Sequence, residues 1–391
     1  MRLSPLVTSI IEPATLLMAR RSRELRAQGK DIIDLSLGEP DHDPPAFALE
    51  AAHAAIKGPW HKYSPVNGFL DVRQAIVKKF KRDNDLEYTA DQVMVSTGAK
   101  QSIMNVVMAL VGPGDEVVIP APFWVTYAEQ VRIAGGVPVI VRSTLEEDYK
   151  PSIARIAAAI NPRTRLLMFS SPCNPSGSVL TKEEMEELAE VVRKWPDLYV
   201  ISDEIYEHIV FSGTHRSFAA LPGMMDRTIT VNGLSKAFAL TGWRVGYIGA
   251  PLWITQAAMK IQGQFTSGPN SIAQRVTIAC MEADPQLLGS MRADFLRRRD
   301  LLIEALKKVP GWRCNVPQGA FYVLPDVSSS LNDTTLKTSS DLCLHLLDSA
   351  GVGIVEGDSF GAKNTVRISY ATSDDKLLAA VDRIANVLTA H

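Results

Sequence analysis

Seven short apolar runs recur through the middle of this sequence, with helical patterns in the intervals. They are VMVS (93–96), EVVIP (116–120), VPVIV (137–141), LLMFS (166–170), YVIS (199–202), TITV (228–231) and VGYIGA (245–250). Several are continuously apolar rather than alternating, which is how strands buried on both faces read. Helical spacing fills the gaps, as in QSIMNVVMAL and 181–194. The pattern predicts an α/β fold, a mostly parallel sheet sandwiched by helices.

After about residue 285 the character changes. MRADFLRRRDLLIEALKKV reads as a long charged helix, followed by GAFYVLPDV and a closing strand–helix pair around VRISYA and DKLLAAVDRIANVL. The expected organisation is a large domain over 46–284 and a smaller α+β domain over 285–391, joined by an N-terminal segment, 1–45. A chain of 391 residues exceeds what one small core needs. The polar stretch 326–341 reads as a surface loop.

Composition narrows the function classes. Lys and Arg number 41 against 43 acidic residues, a net charge of −2 that gives no basis for nucleic-acid or membrane-surface binding. Cys173, Cys280, Cys314 and Cys343 form no CxxC pair, so neither zinc nor a disulfide framework is expected, and a reducing cytoplasm fits. The apolar N-terminus is interrupted by Ser9, Glu12 and Pro13 without a cleavage site, so it does not read as a signal peptide. No run approaches the roughly 20 apolar residues that span a bilayer. The expectation is a soluble protein.

Polar residues gather where the strands end. Asp203 closes the run YVIS, and Tyr206 follows three residues later. Asn174 follows LLMFS within SSPCNPSG, while Lys236 follows TITV within VNGLSKAFALTGWRVGY, eight residues before Arg244. Open α/β sheets bind ligands at the carboxyl ends of their strands. Alone, an SK pair reads as a surface lysine. Together these residues match what pyridoxal phosphate requires: a lysine for the Schiff base, an aspartate for the pyridine nitrogen, and donors to the phenolic oxygen. Its phosphate needs a cation and a helix N-terminus, here Arg244 and the turn STGAKQS, through Gly98 and the N–H groups of Ala99 and Lys100.

The motifs LSLGEPD (35–41), KYSPVNG (62–68), STGAKQS, PAPFWVTY (120–127), SPCNPSG, SDEIYEH, NGLSKAFALTGWRVGY and NTVRISYATS (364–373) cover nearly the whole chain. In this order the sequence resembles the class I aminotransferases of the fold-type I pyridoxal-phosphate superfamily, in the subgroup of bacterial aspartate and prephenate aminotransferases. The resemblance implies a homodimer that moves an amino group by ping-pong between aspartate or glutamate and a 2-oxo acid such as 2-oxoglutarate. Prephenate aminotransferase stays open as an alternative. So, more remotely, do a C–S lyase and a non-catalytic pyridoxal-phosphate-binding regulator, although no spare N-terminal segment for DNA binding is evident.

Residue by residue, the resemblance implies that Lys236 carries the cofactor and moves the proton at the substrate Cα. Asp203 would pair with the pyridinium, Tyr206 and Asn174 with the phenolic oxygen, and Arg244 with the phosphate. Trp124 would stack on the ring, and Tyr63 would reach the phosphate of the neighbouring subunit. Arg367 would clamp the α-carboxylate as a bidentate pair, assisted by the backbone at Gly38. Lys100 would meet the distal carboxylate of a dicarboxylic substrate. Thr15 matches a position paired with that lysine in prephenate aminotransferases, and it reads equally as an N-cap for LLMARRSRELR. One position departs from the wider pattern. Gly233 stands where a phosphate-binding serine is common, and Ser235 is the expected substitute.

Other features carry less. Taken singly, Trp124 also reads as a core aromatic, Tyr63 as a turn residue beside Pro65, and Lys100 as a surface lysine. Cys173 reads as a small buried thiol and His208 as structural; the histidines form no HxH or HExxH, so no metal is expected. The 297–299 arginine run and the cluster Arg20, Arg21, Arg23 and Arg26 read as solvated helix faces. GVGIVEG (351–357) lacks the full dinucleotide-loop spacing.

Overall fold

Apolar side chains on alternate faces of one run can be buried only if both faces of the sheet are covered. That is what the strands of the computed structural model show. It describes residues 3–332 and 334–389; Met1, Arg2, Asp333, Ala390 and His391, at the ends of the expected segments and inside the polar stretch, lie outside. Strand β1 (Ile33–Asp34) precedes β2 (Val93–Ser96), β3 (Glu116–Pro120), β4 (Val137–Val141), β5 (Thr164–Ser170), β6 (Tyr199–Asp203), β7 (Thr228–Gly233) and β8 (Gly246–Gly249). Then come β9 (Tyr322–Val323), β10 (Val352–Gly353), β11 (Val355–Glu356) and β12 (Val366–Ser369).

Strands β2 to β8 form one sheet in the order β2-β8-β7-β6-β5-β3-β4. All run parallel except β8, which is antiparallel to both its neighbours. Val117, Ile119, Leu166 and Met168 pack on one face against Ile103, Val107 and Ile254. Val118, Leu167, Phe169 and Val200 pack on the other against Met185, Leu188 and Val192. The helix Lys182–Arg193 behind that second face is fastened by a capping box between Thr181 and Glu184.

All seven runs are strands, though β5 begins two residues before LLMFS and β7 continues two past TITV. Burial on both faces fails at β4. It is the edge strand, and Val137 is 50% exposed there.

The carboxyl-terminal part builds a small antiparallel sheet, β11-β12-β9, and β10 pairs in parallel with β1. Met18, Ile33 and Leu35 share one core with Phe295, Leu302, Leu346, Ile368 and Ile384. Backbone bonds from Leu35 to Gly353 and from Ser369 to Leu35 tie the N-terminal segment to that core. The arginine run departs from the solvated face expected of it: Arg298 is buried, bonded to Asp41 and Asp294. Among the described residues no helix is long and apolar enough to cross a membrane.

Candidate active site

Parallel strands deliver their carboxyl ends to one edge of the sheet. At that edge β2 leads to Gly98–Lys100, β3 to Trp124, β5 to Asn174, β6 to Asp203, and β7 to Ser235 and Lys236. Because β8 runs the other way, its beginning lies there instead, with Ser96 and Gly233 both opposite Gly246. Arg244, two residues earlier, thereby joins the same edge. A cavity of about 300 Å³ opens among these residues, and the N-terminal segment with β9 and β12 closes it through Thr15, Gly38, Tyr322 and Arg367. All the expected site residues line it except Gly98, which sits just behind the helix start, and Tyr63. Tyr63 is 99% exposed and does not join the others within one chain.

The floor is a buried carboxylate. Asp203 accepts a hydrogen bond from the Tyr127 hydroxyl at 2.6 Å and one from the Ile205 N–H at 3.2 Å. Burial outweighs these contacts and raises its pKa to about 6. Lys236 stands nearby with its ammonium bonded to the Gly38 carbonyl. Burial first, then the Arg367 guanidinium, lower its pKa to about 8. A carboxylate that holds its proton more tightly and a lysine that holds it less tightly are what acid–base work near neutral pH requires.

One end is shaped for an anion. Gly98 has φ +85°, a glycine conformation, and precedes the helix Ala99–Leu110. The N–H groups of Ala99 and Lys100 have no protein acceptor among the described residues. A Cβ on Gly98 would collide with the Arg244 guanidinium, so the glycine lets cation and helix start share one place. Gly233, the departure from the family pattern, has a steric cause. A side chain there would meet the Val245 carbonyl at 2.7 Å and Gly246 Cα at 3.1 Å. Ser235, by contrast, lines the cavity.

At the other end Arg367 is 2% exposed, with Tyr322 and Phe360 rings 4.6 and 5.0 Å from its guanidinium carbon. It donates to Asn174 Oδ1 at 3.1 Å and to the Ser36 carbonyl, while its Nε has no partner. No carboxylate pairs with it among the described residues, and burial lowers its pKa. Lys100 lies at the mouth with Nζ 5.0 Å from the centre of the Trp124 ring, also without a carboxylate partner. Desolvation and then Arg244 lower its pKa, although part of the residue faces solvent. Thr15 is not an N-cap: Pro13 holds that place, and Thr15 lines the cavity from the first turn of Ala14–Ala27.

Sequence reasoning missed Tyr127, Tyr322, Leu16 and Leu37. Tyr127 lies three residues after Trp124 in PAPFWVTY, at the start of the helix Thr126–Ile133, and that spacing was the available signal. Tyr322 lies in GAFYVLP, where strand alternation alone does not say which side meets a cavity. Three groups with metal-ligand chemistry, Glu204, Glu207 and His215, also converge away from this cavity. Their carboxylates are already bonded by Lys79, Asn84, Ser202, Ser217 and the histidine itself.

This fold, with a lysine, an aspartate and an anion cradle at the strand ends, defines a class. The family model for aminotransferases of class I and II matches residues 30–384, and the chain belongs to that family. A protein of Nitrosomonas europaea described as an aspartate/prephenate aminotransferase is 43% identical over the full length of both chains. The aspartate aminotransferase from Rhizobium meliloti superposes with a TM-score of 0.95 at 38% identity, covering 100% of this chain and 99% of that one. The enzyme from Thermus thermophilus, solved with maleate, gives 0.94 at 41% identity, with 99% and 100% covered. The protein is a transaminase, and its cofactor is pyridoxal 5′-phosphate.

The residues present fit that cofactor. The free N–H groups beside Arg244 suit its phosphate, and buried Asp203 suits a protonated ring nitrogen. The amine of Lys236, its basicity lowered by burial, suits the cofactor's aldehyde. The Tyr206 hydroxyl and the Asn174 amide, both lining the cavity, are donors that suit its phenolic oxygen.

Proposed function

We propose that this transaminase is an aspartate aminotransferase, with aspartate or glutamate as donor and 2-oxoglutarate or oxaloacetate as acceptor. The observation that carries this reading is a pair of unmatched cations in one cavity, Arg367 buried within it and Lys100 at its mouth. A dicarboxylic amino acid offers one carboxylate to each. The names of the Rhizobium meliloti and Thermus thermophilus enzymes support it.

Bound pyridoxal phosphate supplies an aldehyde for amines and a ring that accepts the electrons of a broken Cα–H bond. Arg367 grips the α-carboxylate and gains the counter-charge its burial lacks. Lys100 holds the distal carboxylate. The two contacts set which Cα bond stands across the ring, favouring loss of a proton over loss of CO₂. Lys236 Nζ would take that proton from Cα and hold it for its return. Tyr127, bonded to the Asp203 carboxylate, would hold it for the ring nitrogen, while Trp124 would cover the ring and Thr15 would contact the substrate. The acceptor runs these steps in reverse.

A second reading has its own support. Leu16 and Leu37 line the cavity yet are 53% and 39% exposed, an apolar rim suited to a bulkier dicarboxylate such as prephenate. The Nitrosomonas europaea name points the same way.

The proposal includes a homodimer in which Tyr63 reaches the partner's phosphate site, and exposed Tyr63 supports it. It includes a division into 1–45 with 285–391 around the 46–284 body, supported by the shared core of Met18, Ile33 and Leu302. Four unpaired cysteines support a cytoplasmic location. Steady-state kinetics with aspartate, glutamate, alanine, phenylalanine and prephenate test the specificity. A preference for alanine or phenylalanine over all three dicarboxylates would overturn it.

A further inference from the structure

The mechanism above gives no task to the Tyr322 hydroxyl, buried at the wall of the cavity. Tyr322 is fully buried on β9, and its hydroxyl lies 2.9 Å from that of Tyr206. The two rings meet edge to face, with centroids 5.9 Å apart at 84°. The Tyr322 ring also lies beneath the Arg367 guanidinium, and a Cβ on Gly38 would collide with its hydroxyl. Only a glycine at 38 lets the N-terminal segment close over this phenol.

Two hydroxyls that share one hydrogen bond place one proton between them and leave one for another acceptor. Neither phenol has a second protein partner among the described residues. Burial raises both pKa values, so each keeps its proton. Both tyrosines border the cavity; with Tyr206 as the donor to the phenolic oxygen, the arrangement that strands no proton has Tyr322 donating to Tyr206 and Tyr206 donating into the cavity. A hydroxyl that accepts a hydrogen bond becomes a stronger donor.

We infer that Tyr322 is a positioning residue that acts through Tyr206, directing and strengthening the hydrogen bond Tyr206 gives to the phenolic oxygen of the cofactor. This rests on the pyridoxal-phosphate assignment and adds a residue to it. A stronger donor stabilises the anionic oxygen, and thereby the unprotonated form of the lysine-linked chromophore. Tyr322 therefore lowers the pH at which the resting enzyme changes colour.

The test is a spectral pH titration of the holoenzyme. Tyr322→Phe keeps the ring beneath Arg367 and removes only the O–H. Its colour midpoint is expected to rise by about half a unit. A rise of about 0.2 unit or more supports the inference. A smaller rise or a fall overturns it, even where kcat/KM drops, because a purely structural loss leaves the midpoint in place. In a Tyr206→Phe background the same substitution is expected to move the midpoint no further. A shift that persists there overturns the route through Tyr206. A native protein that shows no chromophore with added cofactor sinks the cofactor assignment itself, a separate result from a chromophore whose midpoint ignores Tyr322.

Discussion

Lys236 and Lys100 carry the same side chain into different surroundings. Lys236 is enclosed near Asp203 and has its basicity lowered to about 8, while Lys100 stands at the mouth over Trp124. Lys100→Ala is expected to cost about 2–3 kcal/mol in kcat/KM for aspartate, the scale of a lost charged hydrogen bond, and far less for alanine. Equal losses for both substrates in steady-state assays would remove Lys100 from recognition of the distal carboxylate. Asp203 makes a prediction for the cofactor-free protein. Its folded pKa of about 6 lies above the unfolded 3.8, so the folded state binds more protons between those values. Stability is fully present below pH ~4 and is lost as pH rises through ~6, by about 3 kcal/mol. Asp203→Asn is expected to flatten that slope in denaturant titrations from pH 4.5 to 7; an unchanged slope assigns it to other groups. The identities of both lysines and of Asp203 were readable from motifs. Their altered acidities were not, because burial is set by elements far away in sequence.

Among the elements, reversed β8 has the most specific consequence. Its antiparallel course puts Arg244 beside the start of Ala99–Leu110, and Gly246 lets that helix approach, since a Cβ there would collide with the Ala99 nitrogen and the Gly98 carbonyl carbon. Gly246→Ala is expected to push the helix start away from Arg244. Overpacking of this kind costs about 1–3 kcal/mol; borne by cofactor binding, that is roughly 5- to 150-fold in affinity. Equilibrium titration of the apoenzyme measures it, and unaltered affinity in a folded variant removes the helix start from the phosphate site. The strands themselves were legible as apolar runs. The direction of β8 was not, because an apolar run has no polarity and only pairing decides which end meets the site.

At the scale of the whole molecule, Tyr63 predicts complementation between subunits. Tyr63→Ala and Lys236→Ala are each expected to abolish or greatly reduce activity. Co-folded, they are expected to recover it, because a mixed dimer holds one site with both native residues. Absence of recovery, with mixed dimers verified by mass, would confine each site to one chain. Tyr63 at 99% exposure, with Phe265 at 67%, agrees with a surface made for a second copy. The layered α/β class was legible in strand runs that stay largely apolar on both faces, and polar residues just past the strand ends pointed to the chemistry proposed for the site. That Tyr127 bonds Asp203, that Tyr322 meets Tyr206 and that a Cβ at Gly233 would meet the Val245 carbonyl came from the folded chain alone. The difference is one of range. Periodicity reports how a residue faces its own strand or helix, whereas the Tyr127–Asp203 and Tyr206–Tyr322 bonds join residues 76 and 116 positions apart.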